Sequence, residues 1–324
     1  MPLALITGST GFIGSAVTLA VLQAGYSVRL AIRRPEQAQK LRSIFSEFDA
    51  NDKLDFVVVP DITLPGAFDN ALQGVQYILH LASPLAGTEE DLLTPAVRGT
   101  VSILESALET PSVKKVVVTS SVAALRGLAP IPDGAVLTED AEIDVVIDPS
   151  EVQSLDAMAQ YRASKIASYK AVLAFAAERK PAFDVITLHP VYVFGRSLIQ
   201  SSSSELDGTN RMLFNSLLAR TPSTGQFLGV HVEDVALAHI RVLEDDIRGV
   251  QPYLLSAPRR SWQDVRSFVV DEFPGFEMGL EKNVEDWENW EADTTRATRD
   301  LKIIFRPMED QVRDLVSQQL ELRS

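Results

Sequence analysis

The fold is decided by residues 3–14, which read Leu3-Ala4-Leu5-Ile6-Thr7-Gly8-Ser9-Thr10-Gly11-Phe12-Ile13-Gly14. Five residues typical of a buried strand run directly into three glycines spaced three apart. An apolar stretch with helical character, residues 12–24, follows at once. This order of strand, glycine turn and helix is typical of a doubly wound α/β protein that holds a dinucleotide.

Each glycine has a separate task in such a turn. Gly8 permits the tight turn, Gly11 lets the backbone approach a pyrophosphate, and Gly14 lets the helix pack closely on the strand. The helix N-terminus then faces the phosphate charge. The alternative interpretation is a glycine turn with no ligand.

Apolar segments rich in β-branched residues alternate with helical segments over the first 190 residues. The predicted strands are 3–7, 27–32, 54–59, 77–81, 115–119 and 184–188, and the predicted helices are 12–24, 35–48, 89–109 and 157–178. The strand cores are continuous rather than alternating, which favours a parallel sheet covered on both faces. We therefore predict an α/β fold with a doubly wound parallel Rossmann sheet.

The pattern changes after Pro190. Helices are predicted at 209–219, 233–245, 261–273 and 307–323. We predict a dinucleotide-binding domain over residues 1–190 and a smaller, helix-rich C-terminal substrate lobe over residues 191–324, part of which returns to the main sheet. The acidic, Trp-bearing stretch 281–293 is expected on the surface.

Composition excludes several classes of protein. The 324 residues are 46% hydrophobic and 23% charged, with a net charge of −14, which argues against a nucleic-acid-binding surface. Cysteine is absent, and the four histidines lack metal-ligand spacing, so no metal site is expected. No apolar run approaches the ~20 residues that span a bilayer. The first strand begins too early for a signal peptide, so we expect a cytoplasmic protein.

Tyr161 and Lys165 stand four residues apart in a predicted helix, so both side chains lie on one face. A free phenol has a pKa of ~10. We expect the nearby ammonium and the cationic oxidised nicotinamide to lower the pKa of Tyr161. Tyr161 would then act as a general acid toward a carbonyl oxygen. The alternative is an ordinary surface pair.

The stretch Val116-Val117-Val118-Thr119-Ser120-Ser121 places hydroxyls at the carboxyl end of a strand, where such a sheet opens onto its ligand. Ser121 could donate a hydrogen bond to the substrate oxygen as hydride arrives. The alternative is a turn that caps the strand.

Together these motifs resemble the extended short-chain dehydrogenase/reductase family. Within it, they resemble the branch of dihydroflavonol reductases, cinnamoyl-CoA reductases and fungal methylglyoxal or aldehyde reductases. The similar segments span essentially the whole chain, at residues 7–14, 80–84, 95–100, 119–121, 161–165, 189–195 and 230–236. The run His80-Leu81-Ala82-Ser83-Pro84 is specific to this branch. The family's catalytic Ser, Tyr and Lys match Ser121, Tyr161 and Lys165.

The resemblance also implies contacts with the cofactor and the substrate. Lys165 is implied to hold the nicotinamide ribose, and Asp61 and Ile62 to contact the adenine. The implied cofactor-binding residues are Gly8, Thr10, Gly11, Phe12, Ile13, Gly14, Arg33, Lys40, Asp61, Ile62, Ala82, Ser83, Pro84, Tyr161, Lys165, Pro190 and Val193. The expected substrate pocket consists of Leu85, Val122, Tyr192 and Phe194, for which core packing is the alternative.

The end of the second strand favours NADP (NADPH) as the cofactor. In the NAD form of this fold, an acidic residue commonly ends that strand and holds the ribose hydroxyls. Here Arg33 offers a guanidinium, whose fork geometry fits a phosphate. The resemblance aligns it with the 2′-phosphate, with Lys40 nearby. One charge-assisted hydrogen bond contributes ~1.5–3 kcal/mol, roughly tenfold to a hundredfold in preference.

The sequence therefore predicts an NADPH-dependent reductase that converts a ketone or aldehyde to an alcohol. Its expected partner is a small-molecule carbonyl substrate, with no nucleic acid and no membrane, and the expected state is a monomer or homodimer. Two alternatives stay open. One is an NAD-dependent sugar-nucleotide epimerase or dehydratase, which Arg33 disfavours, and the other is a non-enzymatic dinucleotide sensor. Substrate choice is expected to depend on the loop 195–208 and the segment 141–158.

Overall fold

The computed structural model describes residues 1–83, 91–141, 145–244 and 246–323, and one parallel sheet forms its centre. The strands are β1 (Leu3–Thr7), β2 (Ser27–Ile32), β3 (Leu54–Val58), β4 (Tyr77–His80), β5 (Lys115–Thr119), β6 (Val136–Leu137), β7 (Asp184–Pro190), β8 (Tyr192–Phe194), β9 (Gly229–His231), β10 (Val250–Leu255) and β11 (Glu291–Ala292). The main sheet has the order β10-β7-β5-β4-β1-β2-β3, with every neighbouring pair parallel. The predicted doubly wound α/β fold is confirmed.

Helices cover both faces of this sheet. They are α1 (Phe12–Gln23), α2 (Gln37–Ile44), α3 (Ser46–Asp49), α4 (Leu93–Leu108), α5 (Pro149–Val152), α6 (Ala157–Arg179), α7 (Gly208–Leu218), α8 (Val232–Arg241), α9 (Trp262–Glu272), α10 (Thr295–Leu301) and α11 (Met308–Glu321). Helix α1 packs beside α8, and α4 packs beside α6. Neighbouring residues of one strand enter different cores: Ile6 joins the cluster that contains Val17 of α1, and Leu5 joins the cluster that contains Val172 of α6. This two-sided burial explains the continuous apolar strands.

The strand register brings the carboxyl ends of the central strands to one edge. Thr7 pairs with His80, and Thr119 pairs with Leu188. From β1 the chain first adds β2 and β3 on one side of the sheet. It then adds β4, β5, β7 and β10 on the other side, so the direction in which strands are added reverses beside β1. A crevice at this reversal is the usual ligand site of a doubly wound sheet.

The edge strand β10 was not predicted from the sequence. It contains Pro252 and follows Gly249, which has a φ of 75°, so its sequence has the character of a turn. Proline is tolerated on an edge strand because one side of that strand needs no N–H donor. The carboxylate of Glu139 accepts a hydrogen bond from the N–H of Leu254 at 2.8 Å, which holds a segment from the middle of the chain against β10.

The helices α7, α9 and α11 surround a smaller core in the C-terminal part of the chain. Phe194, Phe214, Phe227 and Trp262 lie in this core. The predicted surface position of residues 281–293 is wrong for Trp290, which is 3% exposed and stands next to β11, the partner strand of β6. Among the described residues, no helix is both long and apolar enough to cross a bilayer.

Candidate active site

The glycine turn after β1 has no room for a side chain at two of its three glycines. Gly8 has a φ of 75°, and a Cβ there would lie 2.8 Å from the N atom of Ala82. A Cβ at Gly14 would lie 2.0 Å from the carbonyl oxygen of Gly8. Gly11 is the N-cap of α1 and offers no side chain to the first amides of the helix. These amides remain available to an anion, as the pyrophosphate of a dinucleotide requires.

Thr7 joins the glycine turn to the segment after β4. Its hydroxyl oxygen accepts hydrogen bonds from the N–H groups of Leu81 and Ala82, at 3.1 and 3.0 Å. The hydroxyl proton is therefore directed to Nδ1 of His80, 3.0 Å away. Burial lowers the pKa of His80 to about 3, with a smaller contribution from Lys165, so the ring is neutral. His80 therefore helps to hold Ala82 and Ser83 beside the turn.

Ser121, Tyr161 and Lys165 converge beside the same edge of the sheet. Ser121 follows β5, while Tyr161 and Lys165 project from α6. Asp156 caps α6 by accepting hydrogen bonds from the N–H groups of Met158 and Ala159, which fixes where the helix begins. The side chains of Ser121 and Tyr161 are close enough for a hydrogen bond to affect the tyrosine.

The pKa of Tyr161 is raised in this structure, so the lowering expected from the ammonium is wrong, and the lowering expected from an oxidised nicotinamide stays a prediction. Burial raises the pKa of Tyr161, a hydrogen bond with Ser121 opposes the rise, and Tyr192 adds to it. Lys165 does not engage the phenol oxygen. Its Nζ lies 5.5 Å from the centroid of the Tyr161 ring and donates a hydrogen bond to Oγ of Ser83 at 2.8 Å. Desolvation therefore outweighs the effect that the spacing of the pair suggested.

Lys165 is a buried cation, with only 6% of its surface exposed. Burial lowers its pKa to about 8. At neutral pH it is still mostly protonated, and its hydrogen bond to Ser83 turns it toward the glycine turn rather than toward the phenol. An ammonium in this place can donate to the hydroxyls of a ribose, as the family resemblance implies.

Two buried histidines fix the strand end that carries Ser121. His189 has its pKa lowered to about 4 by burial, so it is neutral. Its Nδ1 lies 3.2 Å from the carbonyl oxygen of Ser121, which can only accept, so Nδ1 carries the proton. His239 accepts from the hydroxyl of Thr119 at 2.7 Å, because its own Nδ1–H donates to the carbonyl of Val235. Both histidines support the site through these hydrogen bonds.

Arg33 stands exposed at the end of β2, where its backbone N–H donates to Oε1 of Gln37. Asp61 stands near it beyond β3. Hydrogen bonds from Thr63 hold the pKa of Asp61 below its usual value, and the charge of Arg33 contributes a smaller part. The structure therefore brings together Arg33 and Asp61, which the resemblance assigns to the 2′-phosphate and to the adenine, respectively.

Other residues of the predicted cofactor set have structural roles as well. Ile62 packs against Gly99 of α4, where a Cβ would lie 2.8 Å from its side chain. Pro190 and Val193 are buried and pair with β10 and β9, respectively. Lys40 lies on the exposed face of α2, in a groove of about 490 Å³ whose other wall is residues 198–201. Their predicted cofactor contacts stay predictions.

The structure describes three of the four predicted substrate-pocket residues, and two of them lie near Ser121 or Tyr161. Tyr192 lies near Tyr161, because the charge of Tyr192 raises the pKa of Tyr161. Val122 is partly buried beside Ser121. Phe194 is 5% exposed and stacks on Tyr192 and on Phe227 inside the C-terminal core. The predicted contacts of Pro84 and Leu85 lie outside the described residues.

The loop 195–208 is fixed to the C-terminal helix. The backbone of Ser197 makes two hydrogen bonds with the amide of Gln318, each 2.8 Å, and Gln200 pairs with Gln319. Because its residues 198–201 face Lys40 of α2, this part of the loop lies toward the proposed adenosine end of the site. Its predicted control of substrate choice stays a prediction.

Two arginines near Tyr192 were missed by the sequence analysis. Arg126 follows β5 and Arg162 follows Tyr161 in α6, and the charges of both lower the pKa of Tyr192, against the larger effect of burial. Arg126 lies over the ring of Trp290, 5.7 Å from its centroid, and 3.9 Å from a carboxylate oxygen of Glu288. No local sequence signal joins these four residues, because they come from three distant parts of the chain.

The fold and the site define a member of the NAD dependent epimerase/dehydratase family. A model of that family matches residues 4–255, so the chain belongs to it. Ketoreductase sphI of Aspergillus fumigatus is 37% identical over 332 residues, which cover 99% of this chain and 98% of that protein. The predicted resemblance to extended short-chain dehydrogenases/reductases is thereby confirmed.

Two solved structures identify the branch. Gre2 from Candida albicans, solved in complex with NADPH, has a TM-score of 0.86 and 27% identity over 100% of both chains. Vestitone reductase from alfalfa has a TM-score of 0.80 and 26% identity over 99% of each chain. The chain is therefore similar along its whole length to reductases of this branch.

Proposed function

We propose that this protein is an NADPH-dependent reductase of a ketone or aldehyde, with Ser121, Tyr161 and Lys165 as its catalytic residues. The observation that carries the proposal is the convergence of these three side chains beside a glycine turn shaped for a pyrophosphate. The whole-length similarity to a ketoreductase and to an NADPH-bound reductase supports it.

Tyr161 is the proposed proton donor. Because burial raises its pKa, the phenol keeps its proton at neutral pH and can give it to a carbonyl oxygen that gains negative charge. An alkoxide is a far stronger base than a phenolate, so the transfer is favourable in the direction of reduction. Because its burial keeps the phenol protonated, Tyr161 is suited to donate a proton rather than to accept one.

Ser121 is proposed to hold the carbonyl oxygen. Its Oγ already accepts a hydrogen bond from the N–H of Ala123 at 3.1 Å, so its hydroxyl proton is left to be donated, to Tyr161 or to a carbonyl oxygen. His189 fixes the backbone at this point, so the hydroxyl is positioned before the substrate arrives. A preorganised donor of this kind stabilises charge that develops in the transition state.

Lys165, Ser83 and the glycine turn are proposed to hold the cofactor, with Arg33 at the 2′-phosphate and Lys40, Asp61 and Ile62 near the adenosine. The remaining contacts are assigned to Gly8, Thr10, Gly11, Phe12, Ile13, Gly14, Ala82, Pro84, Pro190 and Val193. A bound NADPH supplies the hydride. Arg33 is the observation that favours NADP, because a guanidinium stands where an NAD enzyme commonly has an acidic residue.

We also propose that residues 1–190 form the cofactor domain and residues 191–324 the substrate lobe. The separation is not complete, because β10 of the second part pairs with β7 of the first. The cytoplasmic location and the choice between monomer and homodimer stay predictions.

The test is NADPH oxidation against a panel of α-dicarbonyls, β-keto esters, aryl aldehydes, flavanonols and simple oxo acids, with NADH in parallel. The proposal expects turnover with NADPH and at least tenfold less with NADH. Tightly bound NAD in the purified protein, with turnover of a UDP-sugar, would support the epimerase or dehydratase alternative. Binding of NADPH with no oxidation across the panel would favour a dinucleotide sensor.

A further inference from the structure

A pair of arginines lies beside the proposed proton donor and has no task in the proposed hydride transfer. Arg126 and Arg162 both lie close enough to Tyr192 to lower its pKa, and Tyr192 in turn lies near Tyr161. Arg162 is the direct chain neighbour of Tyr161. The two guanidiniums therefore lie near Tyr192, whereas the ammonium of Lys165 is bound to Ser83.

Both arginines are poorly compensated by the protein. The side chain of Arg126 is 12% exposed, and its nearest carboxylate, that of Glu288, is 3.9 Å away, too far for a hydrogen bond. The Nε atoms of both arginines are buried and lack a hydrogen-bond partner. Within the described residues, Arg162 forms no ion pair. Arg162 therefore has no acidic partner among the described residues, and Arg126 has one only at long range, in a chain with 44 acidic residues.

Other arginines of the C-terminal region show the contrast. Arg313 pairs with Glu272 and Asp310, each at 2.7 Å, and Arg260 pairs with Glu309 at 3.1 Å. Burial lowers the pKa of Arg126, and the charge of Arg162 lowers it further, against the attraction of Glu288. Holding two guanidiniums together in a half-buried place is unfavourable, and a bound anion would remove that cost.

The charge and shape of the cluster identify the kind of anion. Two guanidiniums and the carboxylate of Glu288 leave one net positive charge, which matches a single carboxylate rather than a dianionic phosphate. The planar forks of arginine fit carboxylate oxygens in pairs of hydrogen bonds. Trp290 lies under Arg126, and Tyr192 lies near both arginines, so aromatic side chains border the charged group.

We propose that Arg126 and Arg162 bind a carboxylate of the substrate, so that the protein reduces oxo acids in preference to neutral ketones and aldehydes. The inference rests on the proposed function and specifies its substrate class. In the reaction, hydride from NADPH adds to the carbonyl carbon and the proton of Tyr161 goes to the carbonyl oxygen. The products are a hydroxy acid and NADP⁺, and the carboxylate is unchanged.

The experiment compares each acid with its own neutral ester. Short 2-, 3-, 4- and 5-oxo acids and their methyl esters are assayed with NADPH for kcat/KM. We expect at least one acid to exceed its ester by tenfold or more. Arg126→Gln and Arg162→Gln are each expected to reduce the acid-to-ester ratio of kcat/KM by about tenfold to a hundredfold, the range of one charge-assisted hydrogen bond.

Two further variants separate binding from a general loss of structure. Arg162→Lys keeps the charge but not the fork, and an intermediate ratio is expected. Arg266→Gln is the matched control: Arg266 is partly buried on α9 and donates to the carbonyl of Leu280, so its loss should leave the ratio unchanged. Thermal denaturation of each variant shows whether it is folded.

The outcomes distinguish this inference from the function on which it rests. Reduction of the esters at least as fast as of the acids would overturn the carboxylate site and leave the reductase intact. If neither series is reduced, the reductase assignment fails, and calorimetry with the same oxo acids and the NADP⁺-loaded protein decides on the site. Saturable binding that Arg162→Gln abolishes would support the site, and no binding to the wild type would overturn it.

Discussion

At the scale of single residues, burial rather than charge pairing sets the chemistry of this site. Tyr161 and Lys165 were correctly expected to be neighbours on one helix face, because a four-residue spacing dictates it. The direction of the Tyr161 pKa shift was not predictable, because desolvation depends on chain segments that are distant in sequence. The same limit explains why Arg126, Arg162 and Trp290 were not found together.

Tyr161→Phe removes the proposed proton donor and keeps the ring. Turnover is expected to fall by roughly 10²-fold or more, the scale of general acid catalysis, while NADPH affinity stays within a few-fold. Steady-state NADPH oxidation and cofactor fluorescence titration measure the two quantities. Tyr77→Phe is the control, since Tyr77 stands at the amino end of β4, the end opposite to the site. Turnover near that of the wild type would remove Tyr161 from the mechanism.

Lys165→Met tests how much the buried ammonium of Lys165 lowers the free energy of unfolding. Burial lowers the pKa of Lys165 from 10.5 to about 8. Between these values the unfolded chain binds more protons than the folded one, so the stability of the wild type rises with pH from about 8 to 10.5. At pH 7 the shift costs on the order of 3 kcal/mol, which the hydrogen bond to Ser83 offsets by about 1 kcal/mol.

The Lys165→Met variant is therefore expected to be more stable than the wild type at pH 7, by about 2 kcal/mol, and to lose turnover. Urea denaturation at pH 7 and at pH 10 measures the difference, which should become much smaller at the higher pH. The exposed Lys282, replaced by Met, should show no such trend. A variant that is less stable than the wild type at pH 7 would contradict this account.

At the scale of elements, the sequence predicts the helices and strands whose apolar pattern is continuous, and it misses those that are short or interrupted. The first six strands of the main sheet and the long helices were found because their apolar runs are continuous. The predicted helix 35–48 is two helices, α2 and α3, because the chain turns at Phe45, which is 1% exposed and packs into the core. Strands of two or three residues, such as β8 and β9, are too short to show a period.

Gly14→Ala tests the packing of α1 on the glycine turn. A Cβ at this position would meet the carbonyl oxygen and carbon of Gly8 at 2.0 and 2.6 Å, and both are backbone atoms that cannot rotate away. We expect a loss of about 3 kcal/mol or more in the free energy of unfolding, together with loss of NADPH binding. Gly275→Ala adds the same methyl group in open space and should change stability by at most about 0.5 kcal/mol. Equal stability of the two variants would show that the backbone of the glycine turn can shift to make room for the methyl group.

At the scale of the whole molecule, the functional groups come from both ends of the chain. The glycine turn follows the first strand, whereas Glu288 and Trp290, from the C-terminal part, lie against Arg126. The loop 195–208 is tied to α11 through Gln318 and Gln319, so the last helix fixes a wall that faces α2. Cofactor binding should therefore stabilise the molecule as a unit.

This stabilisation gives a measure of cofactor choice that does not depend on knowing the substrate. NADPH at a hundred times its Kd contributes about 2.7 kcal/mol, which for a chain of this length raises Tm by about 4 °C. If Arg33 reads the 2′-phosphate, NADH binds tenfold to a hundredfold more weakly. At the same concentration it should raise Tm by only about 1–2 °C.

Arg33→Asp should abolish the shift with NADPH or make it smaller than the shift with NADH, because a carboxylate then stands where the phosphate binds. Arg34→Asp is a close control, because it makes the same change of charge at the next residue, which is also exposed at the end of β2. A general electrostatic effect would make the two variants alike, since each loses two units of charge near the same phosphate. A specific contact predicts that only Arg33→Asp reverses the order of the two cofactors. If NADPH and NADH raised the wild-type Tm equally, the phosphate would have to be recognised elsewhere or not at all.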